Sequence, residues 1–264
     1  MTQASITVQE NPVMPATIQE ITLDHPWQWI ASGWNDFKRT PGVSVAYGGI
    51  FFVASILLTL LVFSSDFFFL VPPLTAGFFL VAPILGVFLY DLSRKLEKGE
   101  PAGFKETCKN CKQNPFNLVV MGLVLMMVLV FWMMIANIVF AVFFSGVVLT
   151  FENFIPTLFL SGDSPAFLAA GIISGGIIAL GVFTITAISI PMLIDRDTNV
   201  LSAIATSYQA MVKNPRPLLL WASLIVMFVC IGVVTFYIGF IVAMPVIGYA
   251  TWHAYSDLVV HDEA

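Results

Sequence analysis

Two cysteines separated by two residues, Cys108 and Cys111, have a spacing found in metal sites and redox pairs. A zinc site would need two further ligands, and the neighbouring sequence offers none. A redox role is open, because Lys105, Lys109 and Lys112 would lower the pKa values of the two thiols. The other interpretation is that both cysteines are small apolar residues on one face of a helix, and we favour it.

The sequence shows no further pattern of residues with a chemical role. It contains no nucleophile with a base and an orienting residue, no phosphate-binding loop and no cluster of metal ligands. Basic patches interleaved with exposed aromatic residues, typical of nucleic-acid binding, are also missing. We therefore predict a protein that is not an enzyme, with no cofactor, no metal and no nucleic-acid partner.

The composition is that of an integral membrane protein. Hydrophobic residues make up 58% of the 264 positions and charged residues 10%. Soluble domains carry about 45–50% apolar and about 25% charged residues. Residues 1–22 are polar and contain neither lysine nor arginine, and we predict that they form a mobile cytoplasmic tail. Residues 23–264 are predicted to form a single membrane domain.

Apolar runs long enough to cross a bilayer, which requires about 20 residues, define the predicted spans. They cover residues 43–63, 67–90, 117–144, 166–194 and 218–255. The last run is nearly twice as long as one crossing requires. A turn near residues 235–239 would divide it into two spans, giving an all-helical protein with six spans. The alternative is one tilted helix with a re-entrant piece.

The basic residues predict the orientation. Under the positive-inside rule, short cytoplasmic loops carry the lysines and arginines. All eleven basic residues lie before the first span, between the second and third, or between the fourth and fifth. Both termini are therefore predicted to be cytoplasmic.

Short amphipathic stretches precede three prolines, Pro41, Pro115 and Pro215. Their apolar residues recur at helical spacing, as in Trp27, Ile30, Trp34 and Phe37 and in Leu201, Ile204, Tyr208 and Met211. Such helices lie flat at the lipid headgroups, where aromatic residues anchor them. The predicted interface anchors are Trp27, Trp34, Phe37, Tyr208, Trp252 and Tyr255.

This pattern predicts three parallel repeat units, covering about residues 23–99, 100–199 and 200–264. Each unit would consist of an interface helix and a hairpin of two spans, arranged about an axis along the membrane normal. Pro83, Pro191 and Pro245 would bend the closing spans. The three kinks could line an apolar central cavity for a lipid or quinone.

Several short motifs together resemble an uncharacterised bacterial family of predicted integral membrane proteins, over about residues 20–260. They are Pro26-Trp27-x-Trp29, Gly33-Trp34-x-Asp36-Phe37, Tyr47-Gly48, Gly77-Phe78-x-Leu80-Val81-Ala82-Pro83, Tyr90-x-x-Ser93-Arg94, Asn214-Pro215 and Trp252-His253-x-Tyr255. The resemblance implies a bacterial inner membrane, a six-helix fold and no defined activity. Some members carry an automatic label as a cytochrome c oxidase subunit.

The histidines argue against oxidase chemistry. Haem–copper catalysis requires several histidines within the membrane. The chain has three, His25, His253 and His261, all at or beyond the predicted cytoplasmic boundary. We therefore predict a non-catalytic accessory or scaffold subunit that contacts lipids and another membrane protein, first of all a respiratory oxidase. The alternatives are a lipid-, quinone- or small-molecule-handling protein with a central cavity, and a redox sensor using Cys108 and Cys111.

Overall fold

The computed structural model describes residues 16–63, 74, 77, 82–103, 114–147, 152–153 and 156–260. These residues are helical apart from short connections. Within the described ranges no β-strand is present, and one isolated antiparallel bridge pairs Ile18 with Val259. The predicted all-helical class is confirmed.

The helices follow one another in chain order. They are α1 (His25–Arg39), α2 (Pro41–Phe63), α3 (Val87–Glu97), α4 (Pro115–Phe143), α5 (Ser164–Thr186), α6 (Ser189–Asp195), α7 (Val200–Lys213), α8 (Pro215–Val234) and α9 (Phe240–Leu258). A single π-helical turn, Pro156–Leu160, precedes α5.

Four stretches of the described chain are long and apolar enough to cross a membrane. They are Pro41–Leu61, Pro115–Phe143, Ser164–Asp195 and Pro215–Val234. These agree with the predicted first, third, fourth and fifth spans, so the protein has several membrane-crossing helices. The predicted second span lies largely outside the described residues. Helix α9 is not among the four, because its second half is polar.

A turn joins α8 to α9 at residues 235–239, where the sequence predicted it. Phe236 and Tyr237 both have positive φ, at 52° and 69°. The Tyr237 amide donates to the carbonyl of Gly232 over 2.8 Å, which closes the end of α8. Its hydroxyl lies 2.9 Å from Thr59 Oγ1 on α2. Residues 218–255 are therefore two helices rather than one.

Three helices begin at a proline, and the residue before each proline has nearly the same backbone conformation. Thr40 has φ −132° and ψ 55°, Asn114 has φ −143° and ψ 57°, and Asn214 has φ −124° and ψ 53°. The proline ring disfavours the α conformation in the residue before it, and none of these three residues is helical. We call these three positions the elbows.

Helix α9 lies at the centre of the described helices, and glycines bring its neighbours close. A Cβ atom on Gly33 of α1 would lie 2.7 Å from the Val246 carbonyl oxygen and 2.8 Å from the Ala250 amide nitrogen. A Cβ on Gly48 of α2 would collide with the Ile241 carbonyl oxygen. Small residues permit this close backbone packing between helices.

The last seven residues of the predicted N-terminal tail make hydrogen bonds to the helices. Residues 16–22, which we call the strap, lie against α7 and the end of α9. The Gln19 amide donates to the Leu258 carbonyl over 2.9 Å, and the Val260 amide donates to the Thr17 carbonyl over 3.0 Å. Main-chain pairing is independent of side-chain polarity, so the polar composition of this segment did not predict it.

Candidate functional site: a polar network at the end of α9

The second half of α9 carries polar side chains that are bonded to acidic residues of other helices. Trp252 Nε1 donates to Glu97 Oε2 over 2.8 Å, and Ser256 Oγ donates to Glu97 Oε1 over 3.1 Å. The Tyr255 hydroxyl donates to Asp195 Oδ2 over 2.9 Å. Helix α9 is thus fixed to both α3 and α6, and its buried polar groups are satisfied.

Asp36 on α1 links three helices. Its Oδ2 atom accepts a hydrogen bond from Ser93 Oγ on α3 over 2.6 Å and lies 2.9 Å from His253 Nε2 on α9. Only 4% of Asp36 is exposed, while the Arg39 guanidinium approaches its Oδ1 atom from outside at 3.9 Å. A carboxylate buried to this extent requires such partners, since it has lost most of its hydration.

Asp91 on α3 forms a second buried set of charges. Its Oδ1 atom lies 2.5 Å from Arg94, and its Oδ2 atom forms an ion pair with Lys95 Nζ at 2.9 Å. The side chains of Asp91 and Lys95 are 0% and 2% exposed. Arg94 also donates to the Ile194 carbonyl on α6 over 3.3 Å. One carboxylate therefore holds two buried cations at the contact of α3 with α6.

An open pocket of about 350 Å³ lies beside Asp36. It is lined by Ala31, Ser32, Asn35, Asp36, Arg39, Glu97 and His253. Ser32, Asn35 and Arg39 lie on the side of α1 opposite Trp27, Ile30 and Trp34, since successive helical residues are about 100° apart. The pocket and the apolar stripe of α1 therefore face opposite directions.

The arrangement of Ser93, His253 and Asp36 differs from that of a nucleophilic triad. In a triad the carboxylate and the hydroxyl contact different nitrogens of the imidazole. Here both Asp36 Oδ2 and Ser93 Oγ approach the same atom, His253 Nε2, at 2.9 and 3.4 Å. Ser93 also donates to Asp36, so its proton points at the carboxylate. The geometry suits a bond between helices rather than activation of Ser93.

Metal binding requires several ligands that converge on one point. Among the residues that the structure describes, no three or more histidine, cysteine, aspartate or glutamate side chains form such a group. Cys108 and Cys111 lie outside the described residues, so the redox interpretation stays a prediction.

The predicted interface anchors divide into two sets. Trp27, Trp34 and Tyr208 are 54%, 44% and 58% exposed, and Phe37 stacks on Trp34 with ring centroids 5.3 Å apart. Their contact with lipid headgroups stays a prediction. Trp252 and Tyr255 are instead inside the protein, 1% and 0% exposed, and contact Glu97 and Asp195. Buried rings cannot reach a headgroup, so these two residues belong to the polar network.

The three predicted kink prolines differ in their surroundings. The helix containing Pro191 is interrupted at residues 187–188, between α5 and α6, close to the carbonyl that the proline cannot bond. Pro245 lies inside the uninterrupted helix α9, and Pro83 lies in a helical stretch, residues 82–85, that a turn at Gly86 separates from α3. None of the three lines the pocket beside Asp36. None lines the groove of about 530 Å³ on the outer surface of α4 either.

The sequence offered two signals for this network. Asp91, Arg94 and Lys95 have the spacing of an ion-paired helix face, at i, i+3 and i+4. Asp36, Ser93, His253 and Tyr255 all belong to the motifs that resemble a membrane protein family. The positive-inside rule places Arg94 and Lys95 between the second and third spans, and a count of basic residues per loop carries no information about burial.

The comparison with protein families agrees with that resemblance. The family model DUF2189, described as a predicted integral membrane protein, matches residues 70–195, slightly less than half of the chain. The match includes α3, α4, α5 and α6. No curated protein and no solved structure matches the chain.

Proposed function

With residues 70–195 matching a family of predicted integral membrane proteins, we propose that this protein is a non-catalytic accessory or scaffold subunit of another membrane complex. The outer face of α4 is the observation that supports the proposal most. Only 17% of this span is buried, against 50% for Ser164–Asp195. The buried residues of α4 are Met121, Leu125 and Trp132. Most of its surface is thus available to a partner helix or to lipid.

We further propose six spans in three units, with both termini cytoplasmic, in a bacterial inner membrane. The matching conformations at Thr40, Asn114 and Asn214 support the three units, because Thr40 and Asn214 each join a short helix to a span and Asn114 has the same conformation directly before a span. The bridge between Ile18 and Val259 supports the placement of both ends on one side. The basic residues favour the cytoplasmic side.

The outward apolar stripes of α1 and α7 support a location at the membrane surface. In α7 the exposed residues include Leu201, Tyr208 and Val212, whereas Ser202 and Thr206 face the interior. A helix in water would have the reverse arrangement. With these stripes against lipid, the pocket beside Asp36 would open into the cytoplasm.

The accessory role can be tested by purifying a tagged form from native membranes in a mild detergent. Quantitative mass spectrometry of the eluate measures partner stoichiometry, and a visible absorption spectrum detects haem. We expect one integral membrane partner near one-to-one, and a respiratory oxidase is the first candidate. Elution of the protein alone, or only with bound lipid, would overturn the accessory role and favour a lipid-handling protein.

A further inference from the structure

The strap lies in a groove between α7 and the end of α9, and its hydrogen bonds there are made by its main chain. Thr206 Oγ1 accepts from the Ala16 amide over 3.1 Å, and Asn214 Oδ1 accepts from the Ile21 amide over 2.9 Å. Lys213 Nζ and Asn214 Nδ2 each donate over 2.8 Å, to the carbonyls of Ile18 and Gln19. Two main-chain bonds to Leu258 and Val260 complete the set.

One strap side chain enters the protein. Ile18 is 6% exposed and belongs to the main hydrophobic cluster, which also contains Val259. Thr17, Gln19, Glu20 and Thr22 are exposed, and Ile21 is partly buried. The groove therefore contacts an extended backbone and one buried apolar residue, with Ala16 and Ile21 packed more loosely against the same cluster. Recognition through the main chain tolerates many sequences, as when a peptide adds to the edge of a sheet.

Two elbow residues, Asn114 and Asn214, each donate a side-chain hydrogen bond to a carbonyl in a segment that precedes a short helix. Asn114 Nδ2 donates to the Thr198 carbonyl over 2.7 Å, two residues before α7 begins. Asn214 makes the corresponding bond to Gln19, six residues before α1. The segment that Asn214 binds is the strap, which lies 195 positions earlier in the sequence. The strap is joined to α1 through Leu23 and Asp24, whereas its contacts with α7 and the end of α9 are noncovalent.

We propose that this groove is a binding site for an extended polypeptide, filled by the protein's own strap in the absence of a partner. The ligand class is an unstructured terminal segment of a membrane partner, with an apolar residue in the place of Ile18. This inference deepens the proposed function, on which it rests for the source of that segment. Strap and partner segment would compete for Thr206, Lys213, Asn214 and the main chain of residues 258–260.

A fluorescent peptide with the sequence of residues 16–24 tests the site by anisotropy on the full chain in detergent. The variant Ile18→Asp weakens the strap, because a carboxylate would have to enter an apolar position. We expect this variant to bind the peptide at least about ten-fold more tightly than the wild-type chain does. A peptide that itself carries Ile18→Asp should show no measurable binding.

The variant Gln19→Asp is the matched control, since it adds the same charge at an exposed position next in sequence. It should bind the peptide as the wild type does. Equal binding by the Ile18→Asp and Gln19→Asp chains would overturn the proposal, as would equal binding of the two peptides. Peptide binding without a co-purified partner would leave the groove in place and refute the accessory role. A co-purified partner without peptide binding would support the accessory role and overturn the groove as a peptide-binding site.

Hydrogen exchange on the wild-type chain provides a second test, independent of any variant's folding. An exchangeable strap predicts that the amides of Gln19, Ile21 and Val260 exchange through a local opening, faster than the central amides of α9. If these amides exchange as slowly as the central amides of α9, the strap does not leave the groove. That result would overturn the proposal.

Discussion

Asp91 is the residue whose surroundings constrain the protein most tightly. Its carboxylate is fully buried and contacts both Arg94 and Lys95, which are themselves almost inaccessible. Taking three charges out of water is unfavourable, and their mutual attraction offsets that cost only while all three are present. The Asp91 carboxylate therefore fixes Arg94, which in turn donates to the Ile194 carbonyl of α6.

Substitution of Asp91 by Asn should be strongly destabilising. It removes the negative charge that Arg94 and Lys95 share, and breaking a buried pair in this way costs about 3–5 kcal/mol. Thermal unfolding of the purified protein in detergent should show a clearly lower midpoint. The control is Asp163→Asn, the same change at an exposed position, which should remain within about 0.5 kcal/mol of wild type. Equal midpoints for the two variants would contradict the ion cluster.

For single residues, the sequence predicted which side chains share a helix face better than it predicted which of them are buried. Trp27 and Trp34 are both exposed in the structure. Their helical spacing predicted that they share one face of α1. Trp252 and Tyr255 are also aromatic yet are buried, and α3 and α6 supply acceptors for their polar atoms. Periodicity identifies a face of one helix. It does not reveal which other helix covers that face.

Among the elements, α9 depends on glycine contacts that bring α1 and α2 against it. Gly48 faces the Ile241 carbonyl, whereas the adjacent Gly49 has open space around the position of a Cβ atom. The two glycines share the same helix and nearly the same depth. They differ in whether another backbone lies opposite.

Gly48→Ala should therefore lower stability by about 1–3 kcal/mol, since a methyl group in a filled contact displaces α9. Gly49→Ala should leave stability unchanged or raise it by up to about 1 kcal/mol, because alanine is the better helix former. Thermal unfolding of both variants under identical conditions provides the comparison. A Gly48→Ala protein as stable as Gly49→Ala would show that α2 and α9 are not in contact there.

The prolines show which element boundaries the sequence determines. Pro41, Pro115 and Pro215 each begin a helix, because proline restricts the residue before it. The turn at residues 235–239 was also predictable, because one helix of 38 residues would exceed the bilayer thickness. The strap was not predictable, since its pairing partner Val259 lies 241 positions away in sequence.

For the whole molecule, the described helices have two regions of different character. A polar region contains α1, α3, α6 and the second half of α9, held together by buried hydrogen bonds and ion pairs. Helix α4 belongs to an apolar region and directs residues such as Leu123, Met127 and Met134 outward. In the account proposed here, the first region fixes the structure at the membrane surface and the second meets a partner within the bilayer.

Photo-crosslinking from α4 in native membranes tests this account most directly. A photo-reactive residue would replace Met127, which is 73% exposed, and in a control would replace Met121 on the same helix, which is 0% exposed. We expect the probe at position 127 to give one adduct with a different protein, and the probe at position 121 to give only intramolecular products. Adducts at position 127 with lipid alone, or with many proteins in proportion to their abundance, would contradict the accessory role.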